Sequence, residues 1–337
     1  MAGIDNAHFV GTKRNRAQAV PIAAGAGPLI DHRHKGDDDD YKIVSPMRTG
    51  LRSDEVPHGL RLAGIMTGYR EGGTYRECLL TLFTWHNQTL NSWTMILGWL
   101  VSSALLIWTL SRFQPRGLDL TPFVALWICP TVHLPFTVGY HQFLCISPAV
   151  LRRWRALDVA FIFIASVPLT YGLAYFVMPL PYALGLTTIT ISLSLHAWHN
   201  AAALPAGAEI DKQANTRYVG YVVLVYTFPI VLQAAWDLQN TVLDSTAAAA
   251  AAPASVYMYG IPYTVWCTAA IAFCFVYGGL TYVLSFPDIY APGVFDIVGS
   301  AQQLMHLAIA GAHAIEWLFV IHMYQRTTHG SLHGLKL

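Results

Sequence analysis

Seven apolar runs, each near the roughly 20 residues a helix needs to cross bilayer hydrocarbon, constrain this 337-residue chain more than any other feature. Without water, every backbone N–H and C=O of a spanning segment must be paired inside the protein, which a helix achieves alone. The runs extend from Trp93 to Leu110, Pro122 to Phe143, Leu157 to Val177, Tyr182 to Ala203, Tyr218 to Ala235, Ile261 to Phe286 and Ala301 to Tyr324. Pro130, Pro135 and Pro168 fall inside them, which a soluble helix would not tolerate but a helix among neighbouring helices does. The fourth run is the most diluted, by Thr187, Thr188, Thr190, Ser192, Ser194 and two histidines. The expected fold is all-α, a seven-transmembrane-helix bundle, integral and multi-pass in the lipid bilayer.

Composition agrees: 54% of residues are hydrophobic and 12% charged, with a mean hydropathy of +0.42. A net charge of +1 gives no basic excess for nucleic acid. Five cysteines, an odd number without a C-x-x-C pair, argue against a disulfide framework or a zinc knuckle. A cleavable signal peptide is not expected, so an internal helix should start insertion.

Positive charge sets the orientation, because Lys and Arg stay on the cytoplasmic side. Eleven precede the first run. In the short loops Arg152, Arg153, Arg155, Lys212 and Arg217 lie on the same side as that segment, against Arg112 and Arg116 on the other. The N-terminus is therefore expected in the cytoplasm and the C-terminus outside. Residues 1–56 read as a disordered cytosolic tail with the run Asp37 to Asp40. Residues 57–91 read as an amphipathic helix on the inner surface, with a buried pre-membrane helix as the rival reading, 92–325 as the membrane domain and 326–337 as a short extracytosolic tail. The run Ala247 to Ala252 reads as a spacer.

Polar side chains within spans are costly and usually face the bundle interior. In this orientation His141 ends the second span, Asp158 starts the third, and Gln302 and His306 start the seventh, all in the inner-leaflet layer. Imidazoles and a carboxylate-held water suit zinc, whose catalytic sites have three protein ligands and an open position. Taken alone, His141 could equally donate to a carbonyl, Asp158 could cap the third span, and Thr137 could bond its own helix.

Short motifs add to this. Gly68-Tyr69-Arg70, then His86-Asn87-Gln88-Thr89-Leu90-Asn91-Ser92-Trp93-Thr94, is similar to the opening G-Y-R and H-N-E-x-x-N-x-W-[ST]-H of the progestin and adipoQ receptor (PAQR) family, the adiponectin-receptor and haemolysin-III-related membrane proteins. Pro292-Gly293-Val294-Phe295-Asp296 and Gln303-Leu304-Met305-His306 resemble that family's P-G-x-F-D and H-Q-[LI]-F-H; Thr137-x-x-x-His141 and Asp158 stand for its S-x-x-x-H and Asp. The resemblance covers residues 57 to 325. It implies a receptor-like seven-helix protein with zinc held near the inner face by three histidines, and some members are associated with ceramide amide hydrolysis. Carried over, His141 and His306 match two metal ligands, Gln302 stands where the third histidine belongs, and Asp158 with Thr137 matches the catalytic carboxylate and its hydroxyl neighbour.

Gln302, Gln88 for Glu and Met95 for His all remove ionisable groups. His313 and His133 are about 10 and 12 Å along their helices from the matched histidines, too far to replace the missing ligand. His199, one turn beyond His196, is the best substitute on position. Two readings follow. The first is a receptor for a membrane lipid or steroid-like ligand, with an altered zinc site and an unidentified cytosolic signalling partner. The second is a zinc-dependent lipid amidohydrolase. In intact cells, a tag before Met1 should be inaccessible to external antibody and one after Leu337 accessible; staining of the N-terminal tag without permeabilisation would contradict the shared inner layer.

Overall fold

The computed structural model describes residues 46–202, 212–243 and 257–328. Most of the N-terminal segment, the alanine run and the last nine residues lie outside these, so the expectations placed on them do too. Within the described residues, two strands, β1 (Arg48–Leu51) and β2 (Tyr69–Glu71), pair antiparallel. A short helix, α1 (Tyr75–Leu80), follows.

Next come α2 (Thr89–Phe113), α3 (Thr121–Phe143), α4 (Pro148–Ala174), α5 (Leu180–Ala202) and α6 (Lys212–Leu243). A small hairpin of β3 (Tyr257–Met258) and β4 (Ile261–Pro262) leads into α7 (Tyr263–Leu284), and α8 (Ala301–Thr328) completes the described chain. Consecutive helices from α2 to α8 pack side by side, α8 packs on α2, and α4 also touches α6 and α8. The helices thus form a closed ring with α4 drawn toward its centre.

Six of them, all but α5, are long and apolar enough to cross a membrane. The protein is an integral, multi-pass membrane protein. Only 11% of the most apolar stretch of α2 is buried inside the protein, while Leu97, Leu100, Ile107 and Trp108 on α2 and Phe273, Val276 and Leu280 on α7 are exposed. Apolar area on this scale is stable only against lipid. The interior is filled by a cluster that includes Phe123, Leu126, Phe163, Ile230 and Trp317. The Phe123 and Trp317 rings stack with centroids 6.0 Å apart.

Four expectations need correction. Residues 1–56 are expected to be disordered, yet in the described part of that segment β1 pairs with β2, and Leu51 and Val56 are buried against Ile65 and Tyr69. The pre-membrane segment is not one amphipathic helix, because Gly64, Gly68, Gly72 and Gly73 at positive φ turn the chain before α1 begins. Its apolar face survives locally, where Leu80, Phe83 and Trp85 are exposed. Asp158 caps nothing: α4 starts nine residues before the expected Leu157, with Ser147 as its cap accepting from Val150 N. Arg326 is no tail residue, since α8 continues to Thr328 and buries it against Asp237 of α6 at 2.7 Å.

Close approach of α3 and α4 rests on Gly139. A Cβ there would lie 2.1 Å from Cζ3 of Trp154, a ring that also packs on Phe143 at 4.8 Å. Gly139→Ala should therefore cost about 1–3 kcal/mol through overpacking and lower the melting temperature in detergent. Gly185→Ala in α5, where a Cβ meets nothing within 4 Å, should leave it unchanged.

Candidate functional site

The loops at the ends of α3 and α8 gather around the N-terminal segment. Asp296, buried before α8, accepts from Met66 N at 2.9 Å and from Thr67 Oγ1 at 2.6 Å. Asp288 accepts from Ala301 N at 3.0 Å and so satisfies an unpaired donor in the first turn of α8. Gly68 lies where a Cβ would strike Ile297 at 2.8 Å. Arg70, 3% exposed, donates to the backbone oxygen of His141 at 2.9 Å, to Gln142 Oε1 at 3.3 Å and to Thr81 Oγ1. A buried guanidinium with several acceptors is a rigid brace. It fixes the end of α3, which carries His141.

His141 is completely buried. Its Nδ1 lies 2.8 Å from Gln88 Oε1, which also accepts from Asn91 Nδ2 at 2.9 Å. The imidazole is therefore the donor at Nδ1, and its Nε2 carries the lone pair. His306 is arranged alike: Nδ1 is 3.0 Å from Thr94 Oγ1, whose own proton goes to Asn91 O at 2.9 Å. The two rings meet edge to face with centroids 5.3 Å apart. Gln302, one turn before His306, brings its Nε2 to 3.5 Å from Nε2 of His141. Both imidazoles thus have their Nδ1 protons anchored to oxygens, which leaves Nε2 as the accepting nitrogen of each ring, the one on His141 facing the Gln302 amide. Among the described residues no group of three His, Cys, Asp or Glu side chains is placed to hold a metal ion.

The structure thus brings together His141, His306 and Gln302, with Thr137 buried one turn from His141. Asp158 stays within electrostatic range of both histidines. Its direct partner is His133, at 3.0 Å between Nε2 and Oδ1. His133 is a separate contact, as its spacing indicated. His199 is exposed on α5 while His141 is fully buried, so it does not complete the pair.

Sequence reasoning missed two interior clusters. His313 donates through Nδ1 to Glu316 at 3.1 Å, and its Nε2 accepts from Trp317 at 3.3 Å. Asp237 accepts from Arg326, from Thr264 at 2.6 Å and from Gln233 at 2.8 Å. For Glu316 the signal was available, since a carboxylate inside an apolar run demands a partner; Asp237 falls just past the end of the fifth run. The partners themselves come from helices far apart in sequence.

The description "Haemolysin-III related" fits residues 83–317. The chain belongs to this family. It is 28% identical over 261 residues to human progestin and adipoQ receptor family member 3, covering 75% of this chain and 79% of that protein. Mouse membrane progestin receptor delta is 23% identical over 283 residues, 78% of this chain and 76% of that one. The adiponectin receptor protein of Drosophila melanogaster is 23% identical over 253 residues, 72% and 52% of the two chains. The G-Y-R and P-G-x-F-D stretches of this family member act here as scaffolding: Tyr69, Arg70 and Asp296 build the floor under His141.

His86 belongs to the same floor, accepting from Gln88 N at Nδ1 and lying 3.1 Å from Thr81 O at Nε2. Burial, reinforced by the Arg70 cation, pushes its pKa down to about 3, whereas the unfolded chain protonates near pH 6.5. The folded state excludes a proton that the unfolded state takes up, so stability is full above pH 6.5 and falls as pH drops toward 3. Acidification from pH 7 to 5 should cost on the order of 2 kcal/mol. Melting temperatures across that window should fall less steeply in His86→Gln than in the wild type.

Proposed function

We propose that this protein is a receptor-like heptahelical membrane protein with its N-terminus in the cytosol, taking a membrane lipid or steroid-like ligand and keeping an altered zinc site near the inner leaflet. The names of the relatives, a progestin and adipoQ receptor, a membrane progestin receptor and an adiponectin receptor, support the receptor class and, through progestin, a steroid-like ligand. The seventh crossing on this reading is α5. Its 23 residues reach about 34 Å at 1.5 Å each, enough for hydrocarbon about 30 Å thick, and its hydroxyls bond to carbonyls, as Thr187 does to Ala183 of the same helix at 2.8 Å and Ser194 to Phe163 of α4 at 3.0 Å. Seven crossings put the two ends on opposite sides.

The observation that carries the site is the matched pair of imidazoles, each with its Nδ1 proton held by an oxygen and Nε2 left as the accepting nitrogen. These residues fit zinc in orientation, with His141 and His306 as the strong ligands. Gln302, its amide turned over, would offer Oε1 as a weak third ligand. Bound zinc would supply Lewis acidity and a more acidic water. The protein's own part is to orient the rings through Gln88 and Thr94 and to exclude bulk water around a fully buried His141. The amidohydrolase reading needs a strong third ligand and a free carboxylate, while Gln302 is an amide and Asp158 is paired with His133.

The test combines metal and substrate. Zinc should raise the melting temperature of the purified wild type slightly, and that of Gln302→His by more, because the added imidazole tightens binding about tenfold or better and ligand bound only to the folded state stabilises it. His141→Ala should abolish both shifts. Zinc that fails to bind Gln302→His would show that these residues do not form a metal site. The wild type should release no fatty acid from ceramide; release lost in His141→Ala would make the protein an amidohydrolase.

A further inference from the structure

Two of the five cysteines, 67 positions apart in sequence, meet in the structure. Cys78 on α1 and Cys145 just past the end of α3 have their sulfurs 3.6 Å apart, the one sulfur–sulfur contact among the described residues. Both are unpaired thiols and buried. Around them pack Phe143, Leu144, Met47 and Trp154. The turn Gly72–Gly73 passes over the pair, with Gly72 N donating to Cys145 O at 2.9 Å and Gly72 O near both sulfurs at 4.0 Å.

A buried thiol pair could be plain apolar packing, since free cysteine behaves as a small hydrophobe. Three features argue for more. The sulfurs need to approach by only about 1.5 Å to reach the bond length of a disulfide, near 2.05 Å. The guanidinium of Arg70 lies within electrostatic range of both, and a cation beside a thiol favours the reactive thiolate. The contact with Cys78, helped by Arg70, holds Cys145 below the ordinary thiol range, while the same contact and burial push Cys78 up. One sulfur is thereby suited to attack and the other to resolve.

We propose that Cys78 and Cys145 form a peroxide-responsive dithiol site, a place of reversible oxidation to an intramolecular disulfide on the side of the membrane that carries the N-terminus. The Cys145 thiolate attacks one oxygen of hydrogen peroxide; the displaced hydroxide takes a proton and leaves as water, and Cys145 becomes a sulfenic acid. The Cys78 sulfur then attacks that sulfur, the S–S bond forms, and hydroxide departs with the Cys78 proton as a second water. Two thiols lose two electrons and one peroxide is reduced to two waters. A cellular dithiol reductant reverses the step by exchange.

The bond would tie α1 to the turn between α3 and α4, and its effect would reach His141. Arg70 spans the gap, holding Thr81 three residues after Cys78 and Gln142 three residues before Cys145, together with the His141 carbonyl. This inference stands apart from the zinc reading, because neither sulfur is among the proposed ligands.

The experiment uses the full-length protein in native membranes, treated with hydrogen peroxide and then alkylated in denaturant so that every remaining thiol is capped. Mass spectrometry should show a peptide linked through Cys78 and Cys145 that separates on reduction, and the free thiols should fall from five to three. In Cys78→Ser the resolving sulfur is missing, so dimedone should trap a sulfenic acid at Cys145. Five intact thiols after peroxide, links that join other cysteines instead, or separate over-oxidation of Cys78 and Cys145 without a link would each overturn the proposal. The wild-type measurement requires no variant to fold.

Discussion

Hydrocarbon offers no hydrogen bonds, and this constraint shapes both halves of the molecule. On the outside it favours apolar side chains: Leu97, Ile107, Phe273 and Val276 face outward, and exposed hydroxyls such as those of Thr188 and Ser192 bond back to their own helix. On the inside it favours polar groups that find partners, across helices or along one. Asp237 collects Arg326, Thr264 and Gln233; Glu316 takes His313; Asp158 takes His133. Each of these pairs clasps two helices, or two turns of one helix, in a fixed register. Removing one partner would leave a buried charge without compensation, a cost of several kcal/mol, so these clasps also select one packing of the ring.

Where the bundle meets the N-terminal segment, the logic changes from pairs to a knot. Asp296 holds Met66 and Thr67, Tyr69 closes the loop from Leu62 to Ile65, and Arg70 reaches from β2 to the end of α3. The backbone of this segment is therefore part of the site's support, although it lies outside the spans. His141 is held from both sides, by Arg70 at its carbonyl and by Gln88 at its ring. Precise placement of a side chain by neighbours that are themselves fixed is what a functional site requires.

The long helices were legible because a 20-residue apolar run has few alternatives. Their ends were less so. The start of α4 at Pro148 was hidden by Arg152 and Arg153, which look like loop residues in an apolar count but are simply exposed positions on the first turns of a helix. Arg326 read as tail for the same reason, since hydropathy cannot see Asp237 waiting on α6. Convergence of His141, His306 and Gln302 followed from helix parity and from resemblance. The tie of Asp158 to His133 required side-chain directions that spacing alone does not give. The contact between Cys78 and Cys145 was invisible, because it depends on how the glycine turns fold α1 against α3.

The two amides at the site belong together physically. Relatives with glutamate where Gln88 stands would set a carboxylate against Nδ1 of the matched histidine, which raises the basicity of Nε2 and strengthens a metal bond. Gln88 keeps the geometry, accepting at 2.8 Å, but without the charge. Gln302 likewise keeps the position of a ligand, 3.5 Å from His141, without its donor strength. On our reading both changes weaken the metal and leave the shape intact. A site whose shape persists while its electrostatics are neutralised is poorly equipped to polarise a water or an amide. On that reading, the receptor-like role we propose sits better with these residues than hydrolysis does.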